Sequence, residues 1–193
     1  KFKGVTELPS CGWVRIIPSK SNPVVLQKTD KDNNQKYNVK VLLNFETEYT
    51  GNSNYSSNII DEGVIYAAIS SGAIYAIKNS TGKKIWSEKI NGELKYISIN
   101  GDILYLGSNV GLHAIDKKTG KIEWEQIIGN IISKPIIYRD FVISGFSNGE
   151  VNAFDLYSGK KLWSYKFDDA TYISEIYEDI MYIGSGEFCY SFD

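Results

Sequence analysis

Short apolar runs alternate with polar turns along most of this chain, at a spacing of about ten residues. Residues 94–100 (Leu-Lys-Tyr-Ile-Ser-Ile-Asn) alternate and stop at Gly101-Asp102. Residues 103–108 form a second apolar run, closed by Asn109-Val110-Gly111. Residues 112–116 form a third, and Lys117-Lys118-Thr119-Gly120 then turns the chain into 122–128. The runs are rich in Ile, Tyr and Trp and are bounded by Gly, Asn and Asp, the composition of β-strands and their turns. No segment carries the three-to-four-residue apolar spacing of a long helix. The pattern predicts an all-β chain.

The same unit recurs. Trp86, Trp124 and Trp163 follow one another at a nearly constant interval, as do Gly82, Gly120 and Gly159, and Ala76, Ala114 and Ala153. The segments read Ala76-Ile-Lys-Asn-Ser-Thr-Gly-Lys-Lys-Ile-Trp86, Ala114-Ile-Asp-Lys-Lys-Thr-Gly-Lys-Ile-Glu-Trp124 and Ala153-Phe-Asp-Leu-Tyr-Ser-Gly-Lys-Lys-Leu-Trp163. Asp116 and Asp155 share a motif position that Lys78 fills in the first of the three. A β-rich stretch lies upstream of each segment, and a further one starts at Ile180-Met-Tyr182. Four short strands in a repeat of about 38–39 residues predict a β-propeller of four-stranded antiparallel blades.

A looser copy comes first. Gly12-Trp-Val-Arg-Ile-Ile17 aligns with Gly63–Ala68, Pro23-Val-Val-Leu26 with Ala73–Ala76, and residues 39–45 stand in for the Trp strand. A polar loop, Thr29–Lys36, separates the last two. The whole chain reads as one propeller domain, 1–193, with blades near 1–50, 51–93, 94–131 and 132–170 and a partial blade at 171–193. Four blades and part of a fifth make either an arc of a larger propeller or a small ring, and the strand count favours the arc. An arc leaves a blade edge that another chain can cover, including a second copy in a homodimer.

Composition narrows the functions. Twenty-one Lys and Arg against 23 Asp and Glu give a net charge of −2, which argues against nucleic acid as a partner. The longest apolar run, Val64–Ile69, is far short of the roughly 18–20 residues that cross a bilayer, so this segment is expected not to insert in a membrane. Cys11 and Cys189 lie near opposite ends and can form at most one bridge.

The motif Ala-x-Asp-x-x-x-Gly-x-x-x-Trp, complete at Ala114–Trp124 and Ala153–Trp163, resembles the tryptophan-docking motif of PQQ-like (quinoprotein-type) β-propeller repeats. The resemblance implies that each Trp docks on the neighbouring blade beside its Gly turn. Burying a Trp removes roughly 150–250 Å² from water, about 4–6 kcal/mol before entropy is counted. The family includes quinone-dependent dehydrogenases, outer-membrane assembly lipoproteins of the BamB type and lumenal sensor domains of unfolded-protein-response kinases. The resemblance therefore implies an extracytoplasmic location, in a periplasm, an ER lumen or outside the cell.

Candidate chemistry is sparse. Quinoprotein dehydrogenases resemble one another in carrying a vicinal Cys-Cys disulfide and acidic Ca²⁺ ligands; the two cysteines here are far apart, so no cofactor is expected. Asp30-Lys-Asp-Asn-Asn34 opens like a calcium loop, but Gln35 and Val41 stand where Gly and Glu are required. His113 occupies a repeat position filled elsewhere by Tyr75, Asn152 and Tyr190, a variable strand position and not a catalytic base. Asp168-Asp169 and Glu175, Glu178 and Asp179 read as turn formers, and Thr-Gly-Lys at 81–83 and 119–121 lacks the glycine lead-in of a phosphate loop. Asn54-Tyr-Ser56 and Asn79-Ser-Thr81 match the glycosylation pattern in surface loops. The expectation is a non-enzymatic scaffold that binds a protein or peptide, the alternatives being a lumenal or extracellular sensor domain of a larger membrane protein and a quinone-dependent or carbohydrate-active enzyme. Its plausible contact surfaces are the first-strand tyrosines Tyr96, Tyr138, Tyr172 and Tyr177 and the connections Asn91–Glu93, Gly129–Asn130 and Asp168–Ala170.

Overall fold

The computed structural model describes residues 25–29, 36–40 and 55–192, and the chain divides into two compact units, Lys1–Thr47 and Glu48–Asp193. In the first unit, β1 (Val25–Thr29) and β2 (Lys36–Lys40) form an antiparallel hairpin. Both strands reach further into the polar Thr29–Lys36 stretch than the sequence pattern predicts. The expected Gly12–Ile17 strand lies outside the described residues.

The second unit is built from four antiparallel meanders. The first contains β3 (Tyr55–Asp61), β4 (Val64–Ile69), β5 (Ala73–Lys78) and β6 (Lys84–Lys89). The second contains β7 (Leu94–Asn100), β8 (Ile103–Ser108), β9 (Gly111–Asp116) and β10 (Ile122–Ile127). The third contains β11 (Ile136–Tyr138), β12 (Phe141–Gly145), β13 (Glu150–Asp155) and β14 (Lys161–Lys166). The fourth has three strands, β15 (Thr171–Tyr177), β16 (Ile180–Ser185) and β17 (Phe188–Phe192). Among the described residues there is no helix, as the alternating pattern predicts. The four sheets of this unit are propeller blades, and among the described residues they do not close into a ring.

Blade-to-blade packing follows from which strands are apolar. First strands approach one another, β3 with β7, β7 with β11 and β11 with β15. Third strands β5, β9 and β13 are buried along most of their length, whereas the fourth strands β6, β10 and β14 are largely exposed. The core therefore sits between sheets. Tyr66, Ile74 and Ala76 of the first blade meet Ile97, Leu104 and Ile115 of the second. Tyr105, Leu112 and Ala114 meet Val142, Phe154 and Leu156 of the third, and Ile143, Val151 and Ala153 meet Ile173, Met181 and Ile183 of the fourth.

Candidate functional site

The repeated motif builds the joints between blades. Ala76, Ala114 and Ala153 are fully buried and pair across the sheet with Trp86, Trp124 and Trp163. Only a methyl group leaves room there for an indole to lie over the sheet. A register shift in each pair marks a bulge beside the tryptophan, which re-aims the side chain. Trp86 then stacks on Tyr66 and Trp124 on Tyr105, with ring centroids 6.0 and 5.9 Å apart.

Two of the three indoles reach the next blade. Trp86 Nε1 donates to the Lys117 carbonyl at 3.0 Å, and Trp124 Nε1 donates to the Leu156 carbonyl at 3.2 Å. The indoles rest against Gly120 and Gly159. A Cβ at Gly120 would lie 2.8 Å from Trp86 Cε3, and one at Gly159 would lie 2.5 Å from Trp124 Cδ2. Both glycines also have positive φ, 78° and 68°, so conformation and contact each exclude a side chain. Trp163 remains 38% exposed, with no hydrogen bond among the described residues.

Asp116 and Asp155 hold the glycine turns. Asp116 Oδ1 accepts from the Lys118 and Thr119 N–H groups at 3.0 and 2.7 Å and from the Thr119 hydroxyl at 2.8 Å. Asp155 Oδ1 accepts from Ser158 N–H and Oγ at 2.7 and 2.6 Å. Partial desolvation pushes the Asp116 pKa up, but these hydrogen bonds outweigh it and hold the carboxyl below its usual value. Lys78 has no such acceptor, yet Gly82 N–H still donates to Lys78 O at 2.8 Å, so the backbone makes the turn without the side-chain clamp.

Charge supplements the joints at the strand ends that carry these turns. The Lys117 side chain is 7% exposed and its Nζ lies 2.7 Å from Asp61, 3.2 Å from Glu62 and 3.7 Å from Asp102. The hydrogen bond to Asp61 raises its pKa most. One blade further on, Tyr138 Oη donates to Asp179 and Arg139 pairs with the same carboxylate at 3.0 Å.

At the opposite strand ends, the first two blades form an open groove of about 590 Å³. It is lined by Ser70 and Ser71 of the β4–β5 turn, by Lys89 to Glu93 and by Asn109 and Val110 of the β8–β9 turn. Glu93 N–H donates to Asn109 Oδ1 at 2.8 Å, and Asn109 N–H returns a bond to Glu93 O at 3.1 Å. The Asn91–Glu93 connection therefore lies in a concave surface.

The four tyrosines fare differently. Tyr96 Oη donates to the Ile132 carbonyl at 2.9 Å, and Tyr138 is engaged with Asp179. Tyr172 and Tyr177 are 53% and 61% exposed. Sequence reasoning missed one cluster, because its members lie on three strands. Ser108 Oγ is 3.1 Å from His113 Nε2, and His113 Nδ1 is 3.4 Å from Glu125 Oε2. This is the order of a Ser–His–acid triad, but Ser108 and His113 are fully buried and no substrate can reach the hydroxyl.

Among the described residues no group of three His, Cys, Asp or Glu side chains is placed to hold a metal ion. Cys189 is an exposed free thiol without a cysteine beside it in sequence. Cys11 and the Asp30–Asn34 loop lie outside the described residues.

Residues 41–126 match the family model described as outer membrane protein assembly factor BamB. The assembly factor BamB of Moranella endobia is 27% identical over 122 residues, covering 62% of this chain and 31% of that protein. The quinoprotein alcohol dehydrogenase PedH of Pseudomonas putida is 24% identical over 128 residues, covering 54% of this chain and 22% of the enzyme. The chain thus spans about a third or less of these relatives. Among solved structures, BamB from Moraxella catarrhalis superposes with a TM-score of 0.61 at 21% identity, covering 72% of this chain and 46% of that one. The computationally designed Ika4 protein superposes at 0.68 with 14% identity, covering 79% and 96%. Motif, blade geometry and relatives agree in likening these blades to the repeats of PQQ-like β-propellers.

Proposed function

We propose that this chain is a non-catalytic scaffold of the assembly-factor type, working outside the cytoplasm and binding a protein partner. The match of residues 41–126 to the assembly-factor family carries this reading. It ends within the second blade and so spans the groove-forming residues 70–110. The partner surface is that groove. Trp86 and Trp124 are occupied between blades, which leaves the turns and connections as the free, concave surface. Asn91 and Asn109 offer side-chain amides to a partner backbone, and the charged Lys89 and Glu93 also line the groove.

The test is site-specific photocrosslinking in cells. A crosslinker at Asn91 or Asn109 is expected to capture a defined protein, and one at Lys118, at the opposite strand ends, is expected not to. Equal capture from Lys118, or none from the groove positions, would overturn the assignment.

A further inference from the structure

The Ser108 hydroxyl holds the β8–β9 turn. Its oxygen accepts from the Val110 and Gly111 N–H groups at 3.2 and 3.1 Å and lies 3.0 Å from the Gly111 carbonyl. A hydroxyl oxygen has two acceptor sites, and both are taken. Ser108 can therefore only donate to His113 Nε2 or to the Gly111 carbonyl. His113 is fully buried, and the neutral ring meets this demand with Nε2 as acceptor and its own proton on Nδ1, towards Glu125.

A second proton has nowhere to go without breaking the turn. On Nε2 it makes the ring a donor on both sides, and the acceptor beside it, Ser108 Oγ, is already filled by Val110 and Gly111. One of those N–H bonds must be released. Val110 and Asn109 form one wall of the groove, and Asn109 is stitched to Glu93 across it.

We propose that Ser108 and His113 form a proton-operated latch on the Asn109–Val110 turn, closed when the ring is neutral and released on acidification. Its effect on binding rests on the groove being the partner surface; the latch itself does not. Ile97, Leu106, His113 and Glu125 form one cross-strand row on a single face of the second blade. The facing row of the first blade is Ala68, Ile74 and Glu88. The charged groups on these two rows are thus Glu125 and Glu88. Burial of the imidazole lowers its pKa, and the Glu125 carboxylate opposes this without overcoming it. The ring is accordingly neutral at pH 7. Below the unfolded value of about 6.5, the released state takes up one proton more than the closed state, so release grows by up to about tenfold per pH unit.

The test is amide exchange by NMR on the 193-residue chain, corrected for intrinsic pH dependence, with the His113 ring titrated in the same samples. Protection at Val110 and Gly111 is expected to fall about fivefold from about pH 6.5 to 5.5, while Leu104 and Ile115 keep theirs. His113→Asn, the residue found at the matching position 152, is expected to abolish this dependence. Glu125→Gln is expected to keep the onset at about pH 6.5 and to extend the dependence to lower pH, because the closed ring loses the carboxylate that favours its protonation. Protection in the wild type that holds until the whole chain unfolds would overturn the latch, as would a pH dependence that persists in His113→Asn. If the latch opens on schedule but crosslinking from Asn91 and Asn109 does not change with pH, the groove assignment fails and the latch stands.

Discussion

Trp124 and Trp163 occupy the same place in the same motif, and their surroundings differ. Each pairs with a buried alanine, and each follows a glycine turn clamped by an aspartate. Trp124 lies on Gly159 and donates to Leu156, whereas Trp163 is 38% exposed. The third strands show the same contrast. β9 is buried from Gly111 to Ile115, while Phe188 to Ser191 of β17 are exposed. The aromatic residues there collect locally instead, Phe167 lying 4.9 Å from both Tyr165 and Tyr190 by ring centroid. The motif thus encodes a hairpin with a tryptophan set on it. Burial of that tryptophan is a property of two adjacent blades.

Substitutions can break this comparison in order of size. Trp124→Ala should cost about 3–5 kcal/mol in denaturant unfolding, the loss for a large aromatic whose cavity cannot collapse. Gly159→Val should cost about 2–4 kcal/mol, because a β-branched side chain is forced into a positive-φ position against the Trp124 ring. Should Gly159→Val prove neutral, the close indole–glycine contact cannot be what locks the blades.

Asp116→Ala should cost about 1 kcal/mol, since the turn backbone survives and only the side-chain acceptor goes. Its pH dependence has a definite sign. The folded pKa is depressed, so the clamp's stabilisation is present above the unfolded value near 3.9 and is lost as pH falls through the folded one. Acid titration of the variant should therefore be flatter than that of the wild type.

Lys117→Leu should be milder still, because the indole of Trp86 bonds to the backbone of residue 117 and Leu156 fills this position at the next joint. Trp163→Ala should change stability least, by under about 1 kcal/mol. A loss there as large as for Trp124→Ala would mean that the exposed tryptophan is covered in solution, and would sharpen the contrast into a search for what covers it.

Much of the fold was legible because it is written in local chemistry. Strand alternation and the Gly-Lys turns depend on residues within a few positions of one another, and the near-constant interval between tryptophans is that local unit repeated. The partial blade expected at 171–193 was read the same way, and β15, β16 and β17 fall within it. The first copy was harder at its edges: β1 and β2 take in Thr29 and Lys36, the two end residues of a stretch that reads as loop, since polar residues can close a strand as well as open a turn.

The candidate site was legible only in part. The connection Asn91–Glu93 stood out as a surface loop, but nothing in it shows that Ser70, Ser71 and Val110 lie opposite. His113 was read correctly as a strand position, yet its partners are five residues away on β8 and twelve away on β10, and only the sheet register brings them together. The acceptors for the indoles are main-chain carbonyls, which have no signature in sequence at all.

By itself, then, the sequence determined the secondary structure, the repeat length and the turn chemistry, because hydrogen-bonded hairpins and positive-φ glycines are short-range requirements. Tertiary structure alone decided which tryptophans are docked, which tyrosines are engaged, where the groove lies and what surrounds His113. Those outcomes depend on one blade's surface meeting another's, and desolvation and hydrogen-bond satisfaction are set by the neighbour as much as by the residue itself.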